Sequence, residues 1–230
     1  MTGHTHLVVH YCERLSADFW AEPVNAFTNL AFLIAAGVLL TRLRRGQIPL
    51  QKAIDILLLI GLLGSIAVGS FLWHTLATPW TEWADVVPIL LFISLYLLSF
   101  LVRIARLKPL MVLAWFLLYH LVNIGLQLRF PPQTLNGSMF YLPTLAALIL
   151  LGIYSKHIRH PAANHLLLAG ALFALSIVLR TLDFALCSIW PIGTHFIWHI
   201  LNAYVLYILT VALLISKPSP TMQHSVVRTR

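Results

Sequence analysis

The sequence predicts an all-α membrane protein, a bundle of seven transmembrane helices, and three observations carry this prediction. Of its 230 residues, 60% are hydrophobic and only 10% are charged, whereas soluble domains have about 25% charged residues. Seven apolar runs follow one another along the chain, and most of them reach the roughly 20 residues that a helix needs to cross a bilayer. The basic residues gather on alternate connections between these runs.

Prolines and charges delimit the runs. Pro23 opens the first run, because proline is tolerated in the first turn of a helix. Pro79 falls in the short loop after the second run, Pro88 predicts a kink inside the third, and Pro131 follows the end of the fourth. The predicted spans are, in order, 23–43, 52–74, 82–102, 109–128, 138–154, 164–186 and 194–215.

Seven spans place the two ends of the chain on opposite sides of the membrane. Most of the 15 Lys and Arg residues flank the first, third and fifth connections or follow the last span. By the positive-inside rule that side is cytoplasmic, so the N-terminus is predicted outside and the C-terminus in the cytoplasm. The formal charge of +8 therefore reports orientation, and we expect no nucleic-acid partner. These basic residues are Arg42, Arg44, Arg45, Lys52, Arg103, Arg106, Lys108, Lys156, Arg159, Lys217, Arg228 and Arg230.

The chain shows no internal repeat and no linker, so it is predicted to form one domain. Residues 1–22 are an outer N-terminal tail, 23–216 the seven-helix domain, and 217–230 a cytoplasmic tail. No basic stretch followed by a short apolar run opens the sequence, so we expect no cleaved signal peptide.

His195 and His199 open the last apolar run. Four residues apart on a helix, they lie on one face and can point at one spot. Such a pair suits a metal ion, and zinc is the common choice for neutral imidazole. Taken alone, the spacing does not decide between a ligand pair and two unrelated histidines. Polar side chains inside a membrane span are costly, however, and usually have a function.

The predicted topology brings further polar residues to the same end of the bundle. His74 ends the second span, Ser70 lies one turn before it, and Asp85 begins the third span. Three histidines with one open position are typical of a catalytic zinc site. Asp85 is the candidate to accept a proton from an attacking water, and Ser70 the candidate to stabilise an oxyanion. The predicted chemistry is metal-assisted hydrolysis of an acyl bond.

These motifs resemble those of the alkaline ceramidases, seven-helix intramembrane zinc amidases in the superfamily that includes the adiponectin-type receptors. The resemblance implies zinc on the three histidines, with Ser70 and Asp85 around the attacking water. It also implies a calcium site in the segment before the first helix. The compact N-terminus is similar to that of bacterial members. The matching motifs are Tyr11-Cys12-Glu13, Trp20-Ala21-Glu22-Pro23 with Asn25 and Asn29, Gly69-Ser70-Phe71-Leu72-Trp73-His74 with Asp85, and His195-Phe196-Ile197-Trp198-His199.

The sequence leaves undecided whether this segment binds calcium. Glu13 and Glu22 stand where the family has calcium-binding acids, but Val9-His10-Tyr11 replaces an upstream acid and Arg14 stands near the position of an asparagine. Calcium prefers six or more oxygen ligands, which two glutamates do not supply.

The resemblance implies hydrolysis of ceramide or a related N-acyl lipid to a fatty acid and a sphingoid-type amine. A site near the headgroup boundary favours such a lipid over a soluble substrate. The alternative is a seven-helix receptor or lipid-binding protein with a structural zinc and little turnover. A metal transporter is a weaker alternative, because transporters place their ligands near the midplane. We expect a multi-pass protein of a bacterial plasma membrane, with the site on its outer side.

Three further interpretations concern single side chains. Cys12 and Cys187 both fall on the oxidising outer side, which favours a disulfide over two free thiols. Arg180 and Asp183, three residues apart on the sixth span, are expected to pair with each other. The fourth span carries a polar stripe that is expected to face other helices; its members are His120, Asn123 and Gln127.

Overall fold

The computed structural model describes residues 11–46 and 53–215. The predicted tail 217–230, the first ten residues with Val9 and His10, and the basic residue Lys52 lie outside this part of the chain. Within it every regular element is helical, and seven spans are long and apolar enough to cross a membrane. The predicted fold class is confirmed.

Eight α-helices form these seven spans, because α1 and α2 follow each other within the first one. A short 3₁₀ helix, Ser138–Tyr141, leads into α6. The helices are α1 (Pro23–Thr28), α2 (Leu30–Arg45), α3 (Ile54–Leu76), α4 (Pro79–Arg103), α5 (Pro109–Arg129), α6 (Leu142–His157), α7 (Ala163–Leu186) and α8 (His195–Leu214).

Local chemistry explains where the helices begin. Pro23 stands in the first turn of α1, as predicted. Helix α4 starts at Pro79, three residues before the predicted position, because Thr78 and Thr81 form a capping box that satisfies N–H groups left open at a helix start. The same helix continues through Pro88.

The spans differ in how deeply they are buried. Helix α8 is the most buried span, with 61% of its most apolar window inside the protein, and α3 follows with 50%. Helix α5 contributes no buried residue. On α5, His120 Nε2 lies 3.3 Å from Ser94 Oγ of α4, so this histidine faces another helix as expected. Gln127 is exposed, contrary to that expectation.

Helices α3 and α4 pack closely at Gly69. A Cβ atom at this position would collide with the backbone carbonyl of Ala84, so only glycine permits this approach. The contact brings the last turns of α3 against the first turns of α4. It therefore sets Ser70 next to Asp85, as the site requires.

The bundle has two chemically different ends. The end that carries the three histidines is called the site end below, and the opposite end is called the far end. At the far end, Arg103 on α4 donates hydrogen bonds from Nε and Nη2 to the carboxylate of Asp55 on α3. The pair joins the start of α3 to the end of α4.

Candidate metal centre

Three histidines from two helices converge at the site end. Each offers one ring nitrogen, and these nitrogens all lie within 4.8 Å of one another. His74 comes from the last turn of α3, while His195 and His199 come from the first two turns of α8. All three are buried, with at most 3% of their surface exposed. The convergence is the one that the sequence predicted.

The donor set fits a bound metal ion. Nε2 of His74 lies 3.1 Å from Nε2 of His199. A tetrahedral zinc ion holds imidazole nitrogens at about 2.0–2.1 Å, which puts two of them about 3.3 Å apart. The two ring nitrogens are therefore already near the spacing that a shared ion needs.

Hydrogen bonds at the other ring nitrogen prepare two of these ligands. His74 Nδ1 lies 2.5 Å from Glu22 Oε2. A carboxylate accepts but does not donate, so the proton sits on Nδ1 and the Nε2 lone pair is free for a metal. His199 Nδ1 lies 2.9 Å from the Thr28 hydroxyl. That hydroxyl is within reach of the Val24 carbonyl, and if it donates there it accepts from His199.

The third ligand is positioned by the start of α8. Asp183 Oδ1 accepts hydrogen bonds from the backbone N–H groups of Thr194 and His195, at 2.6 and 2.9 Å. A carboxylate here satisfies open N–H groups and complements the helix dipole. Gly193 precedes them with a positive φ of 70°, and a Cβ there would lie 2.8 Å from Cys12 Cβ.

Asp183 also holds the segment before α1. Its Oδ2 accepts the N–H of Cys12 at 3.0 Å, and Cys12 forms a disulfide with Cys187. Their Cα atoms are 5.2 Å apart, within the usual range. The structure thus places the two cysteines as the sequence predicted. It gives Asp183 a different role from the predicted pairing with Arg180, which is wrong.

Tyr11 covers the histidines on the side of that segment. Its ring stacks on His195 with centroids 3.7 Å apart and lies 5.1 Å from the ring of His74. Burial raises the pKa of the Tyr11 phenol, so it stays protonated at neutral pH. The stacked ring restricts how His195 can turn.

The two glutamates proposed for calcium are both engaged with N–H donors. Glu13 accepts from the N–H groups of Val24 and Asn25 at 2.6 and 2.8 Å, and so caps α1. Burial raises the pKa of Glu13 despite these two hydrogen bonds. Burial also acts to raise the pKa of Glu22, but the His74 ring and Arg14 lower it overall. These contacts do not support the calcium prediction.

The two candidate catalytic residues meet beside the histidines. Ser70 is buried, and the carboxyl group of Asp85 lies near both Ser70 and His74. Asp85 itself is half-buried. The arrangement places a carboxyl group and a hydroxyl group close to the metal ligands.

Arg180 lies on the other side of the site among aromatic rings. Its guanidinium carbon is 5.2 Å from the ring centre of Trp198 and 5.6 Å from that of Tyr141. Its Nη1 is 3.4 Å from the hydroxyl of Tyr11. Among the described residues, no carboxylate forms a salt bridge with it, and its buried Nε has no hydrogen-bond partner.

A family model described as Ceramidase matches residues 7–227 of the chain. The chain belongs to the ceramidase family. A search of the curated proteins gave no match. Membership supports a ceramide-hydrolysing enzyme, a hydrolase that acts on amides and takes a lipid substrate.

An apolar cavity runs through the bundle beside α8. Trp198, between the two α8 ligands, lines it at one end and Leu209 deeper along the same helix. At about 1.5 Å per residue these two positions are about 16 Å apart along the axis. Other lining residues are Ile66, Phe92, Tyr141 and Phe173. The cavity is long and apolar enough to receive part of a lipid chain.

The sequence did not predict the roles of four residues at this site. Thr28 and Asp183 each form a hydrogen bond with a metal-ligand histidine, and their spacing in the sequence does not indicate that partner. Arg14 was noted only as a departure from the family, and Arg180 was assigned to the wrong partner. The signal available for Thr28, Arg180 and Asp183 was a polar side chain near the site end of an apolar span, whereas Arg14 lies before the first span.

Proposed function

We propose that this member of the ceramidase family is an intramembrane zinc-dependent amidase. It cleaves the amide of ceramide, or of a related N-acyl lipid, to a fatty acid and a sphingoid-type amine. The observation that carries the proposal is the convergence of three buried histidines from two helices that also line an apolar cavity. His74, His195 and His199 would hold the ion, since three neutral imidazoles suit zinc.

A bound zinc ion would supply Lewis acidity, which activates water and polarises the amide carbonyl. The chain's own residues handle the protons. Asp85 accepts a proton from the attacking water and delivers it to the leaving amine nitrogen. Ser70, which lies near the Asp85 carboxyl group, donates its hydroxyl to the developing oxyanion.

The surroundings favour a lipid amide with an acyl chain. The acyl chain of the substrate would lie in the cavity below Trp198, with the substrate amide next to the histidines at the site end. Arg180 forms no salt bridge with a carboxylate among the described residues, so its charge favours a group that becomes anionic. The carboxylate of the released fatty acid is such a group.

We further propose the orientation that the basic residues predict. The site end would face the outer side of a bacterial plasma membrane, with the tail 1–22 outside, the hydrolase domain 23–216 in the bilayer and the tail 217–230 in the cytoplasm. Reporter enzymes fused after residue 230 test this. Activity of a cytoplasm-specific reporter supports the orientation, and activity of a periplasm-specific reporter overturns it.

The function is tested with purified protein in detergent, by metal analysis and by fatty-acid release from a fluorescent ceramide. We expect zinc in the wild-type protein, and loss of both zinc and turnover in His195→Ala and His74→Ala. His120→Ala is the matched control, because it removes a half-buried histidine of α5 that is not one of the three converging histidines.

Two results would contradict the proposal. Unchanged hydrolysis in His195→Ala would refute the metal mechanism. Zinc in the wild type without fatty-acid release above the His74→Ala background would instead favour the receptor-like alternative with a structural metal.

A further inference from the structure

A buried arginine stands in the segment where the family resemblance implies calcium. Arg14 is only 3% exposed, and its guanidinium has three partners. Nε donates to the Glu22 carboxylate, one terminal nitrogen donates to the His74 carbonyl at 2.9 Å, and the other lies 3.4 Å from the Ser16 carbonyl. One side chain thus bridges the segment before α1 and the end of α3.

Glu22 needs a cation at this place. It is 2% exposed, and a buried carboxylate is costly unless it is paired and hydrogen-bonded. Arg14 takes one of its oxygens, while the His74 ring and the Asn25 amide take the other, at 2.5 and 3.0 Å. Both oxygens of Glu22 therefore already have donors.

A calcium ion does not fit this set. Calcium takes six to eight oxygen ligands, several of them charged, but N–H donors occupy the carboxylate oxygens of Glu13 and Glu22. The guanidinium would repel a divalent cation placed next to it. Two buried amide oxygens, of Asn25 and Asn29, have no donor among the described residues. They are neutral and cannot offset that repulsion.

We propose that the Arg14 guanidinium is a built-in replacement for calcium, which neutralises Glu22 and through it orients His74 as a metal ligand. The protein is then independent of calcium. Arg14 is a positioning residue, since it reaches the metal centre only through Glu22 and the His74 carbonyl. The inference rests on the three-histidine metal site and not on amide hydrolysis, so its readouts are metal affinity and thermal stability.

The first experiment titrates zinc-loaded wild-type protein with calcium in calcium-free buffer, with magnesium as the control cation. We expect the thermal midpoint and the zinc dissociation constant to stay at their starting values with either ion. A rise of the midpoint or tighter zinc binding with calcium but not with magnesium would overturn the proposal.

The second experiment measures zinc affinity by competition with a chromophoric chelator. Loss of a residue that supports a metal ligand typically weakens metal binding about 10- to 100-fold, and we expect Arg14→Ala to fall in this range. Arg14→Lys keeps the charge but not the three contacts, so an intermediate loss is expected. Arg103→Ala is the matched control, because it breaks an arginine–carboxylate pair at the far end. Wild-type affinity in Arg14→Ala, or an equal loss in Arg103→Ala, would contradict the proposal.

A double-mutant cycle tests whether Arg14 acts through Glu22. In a Glu22→Gln background the side chain at position 22 is neutral and needs no cation. Adding Arg14→Met should therefore weaken zinc binding by less than a further two-fold. The double variant also removes both buried charges, so zinc affinity can still be measured in it if Arg14→Ala fails to fold. A further loss as large as that of Arg14→Ala alone would show that Arg14 acts by another route.

Discussion

Helix α3 has an arginine–carboxylate pair at each end, and the two pairs do different work. At the far end Arg103 and Asp55 are 29% and 20% exposed, and they join α4 to α3. At the site end Arg14 and Glu22 are 3% and 2% exposed, and the carboxylate also binds a metal-ligand histidine. The same two functional groups thus act as a peripheral clamp in one place and as the support of a chemical site in the other.

Burial explains the difference. Exposed ion pairs contribute about 0–1 kcal/mol, because water and salt screen them. A buried pair gains little over an apolar contact, but breaking it leaves an unpaired charge and costs about 3–5 kcal/mol. The pair at the site end is therefore kept for what it positions, and its loss is felt both in stability and at His74.

The largest effect that would test this comparison is expected from Glu22→Ala. It leaves Arg14 buried without its carboxylate, and we expect a loss of about 3–5 kcal/mol in the free energy of unfolding, with loss of zinc. Chemical denaturation in mild detergent and metal analysis measure the two effects. Stability and zinc content like those of the wild type would show that the buried pair is no more than a second peripheral clamp.

The disulfide gives the site end a second tie, and its removal should rank next. Cys12→Ser frees the segment before α1 from the last loop, and a native disulfide typically contributes about 2–4 kcal/mol. We expect a lower thermal midpoint together with weaker zinc binding, because the segment that carries Tyr11 and Arg14 is then held less firmly against the histidines. Reducing agent on the wild type should reproduce both effects. A lower midpoint with unchanged zinc affinity would separate the disulfide from the metal site.

The sequence was sufficient for the parts of this protein that follow from periodicity and the membrane. Seven apolar runs gave seven spans, because only a helix satisfies its own backbone in lipid. Antiparallel neighbours then required His74, Asp85 and His195 to share one end. Their meeting followed from topology, without any knowledge of side-chain contacts.

What the sequence could not predict were partners chosen in three dimensions. Arg180 and Asp183 stand three apart on α7, a spacing typical of an ion pair, yet the carboxylate caps α8 instead. The start of α8 offers this carboxylate two backbone N–H donors at once. In the same way, Glu22 has the right position for a calcium ligand, but its oxygens point to His74 and Arg14.

Arg180 extends the comparison to an arginine that forms no salt bridge among the described residues. Arg180→Gln should lower the free energy of unfolding less than Glu22→Ala, because it removes contacts with aromatic rings but breaks no salt bridge. It should weaken binding of a fatty acid about 10- to 150-fold, since hydrogen bonds to charged groups contribute about 1.5–3 kcal/mol. Binding of the matching fatty alcohol, which carries no charge, is the control and should not change. An equal loss for acid and alcohol would assign Arg180 to packing.

The smallest effect is expected at the far end, from Asp55→Asn. The side chain keeps its size and one acceptor oxygen, and Arg103 keeps access to water, so we expect a change of about 0–1 kcal/mol in the free energy of unfolding. Zinc content and turnover should match the wild type, because Asp55 and the metal ligand His74 stand at opposite ends of α3. Raising the salt concentration should shrink even this difference, since partly exposed charges are screened. A loss of free energy of unfolding comparable to that of Glu22→Ala would mean that the far pair stabilises the fold as strongly as the buried pair. Burial would then not explain the difference between the two ends of α3.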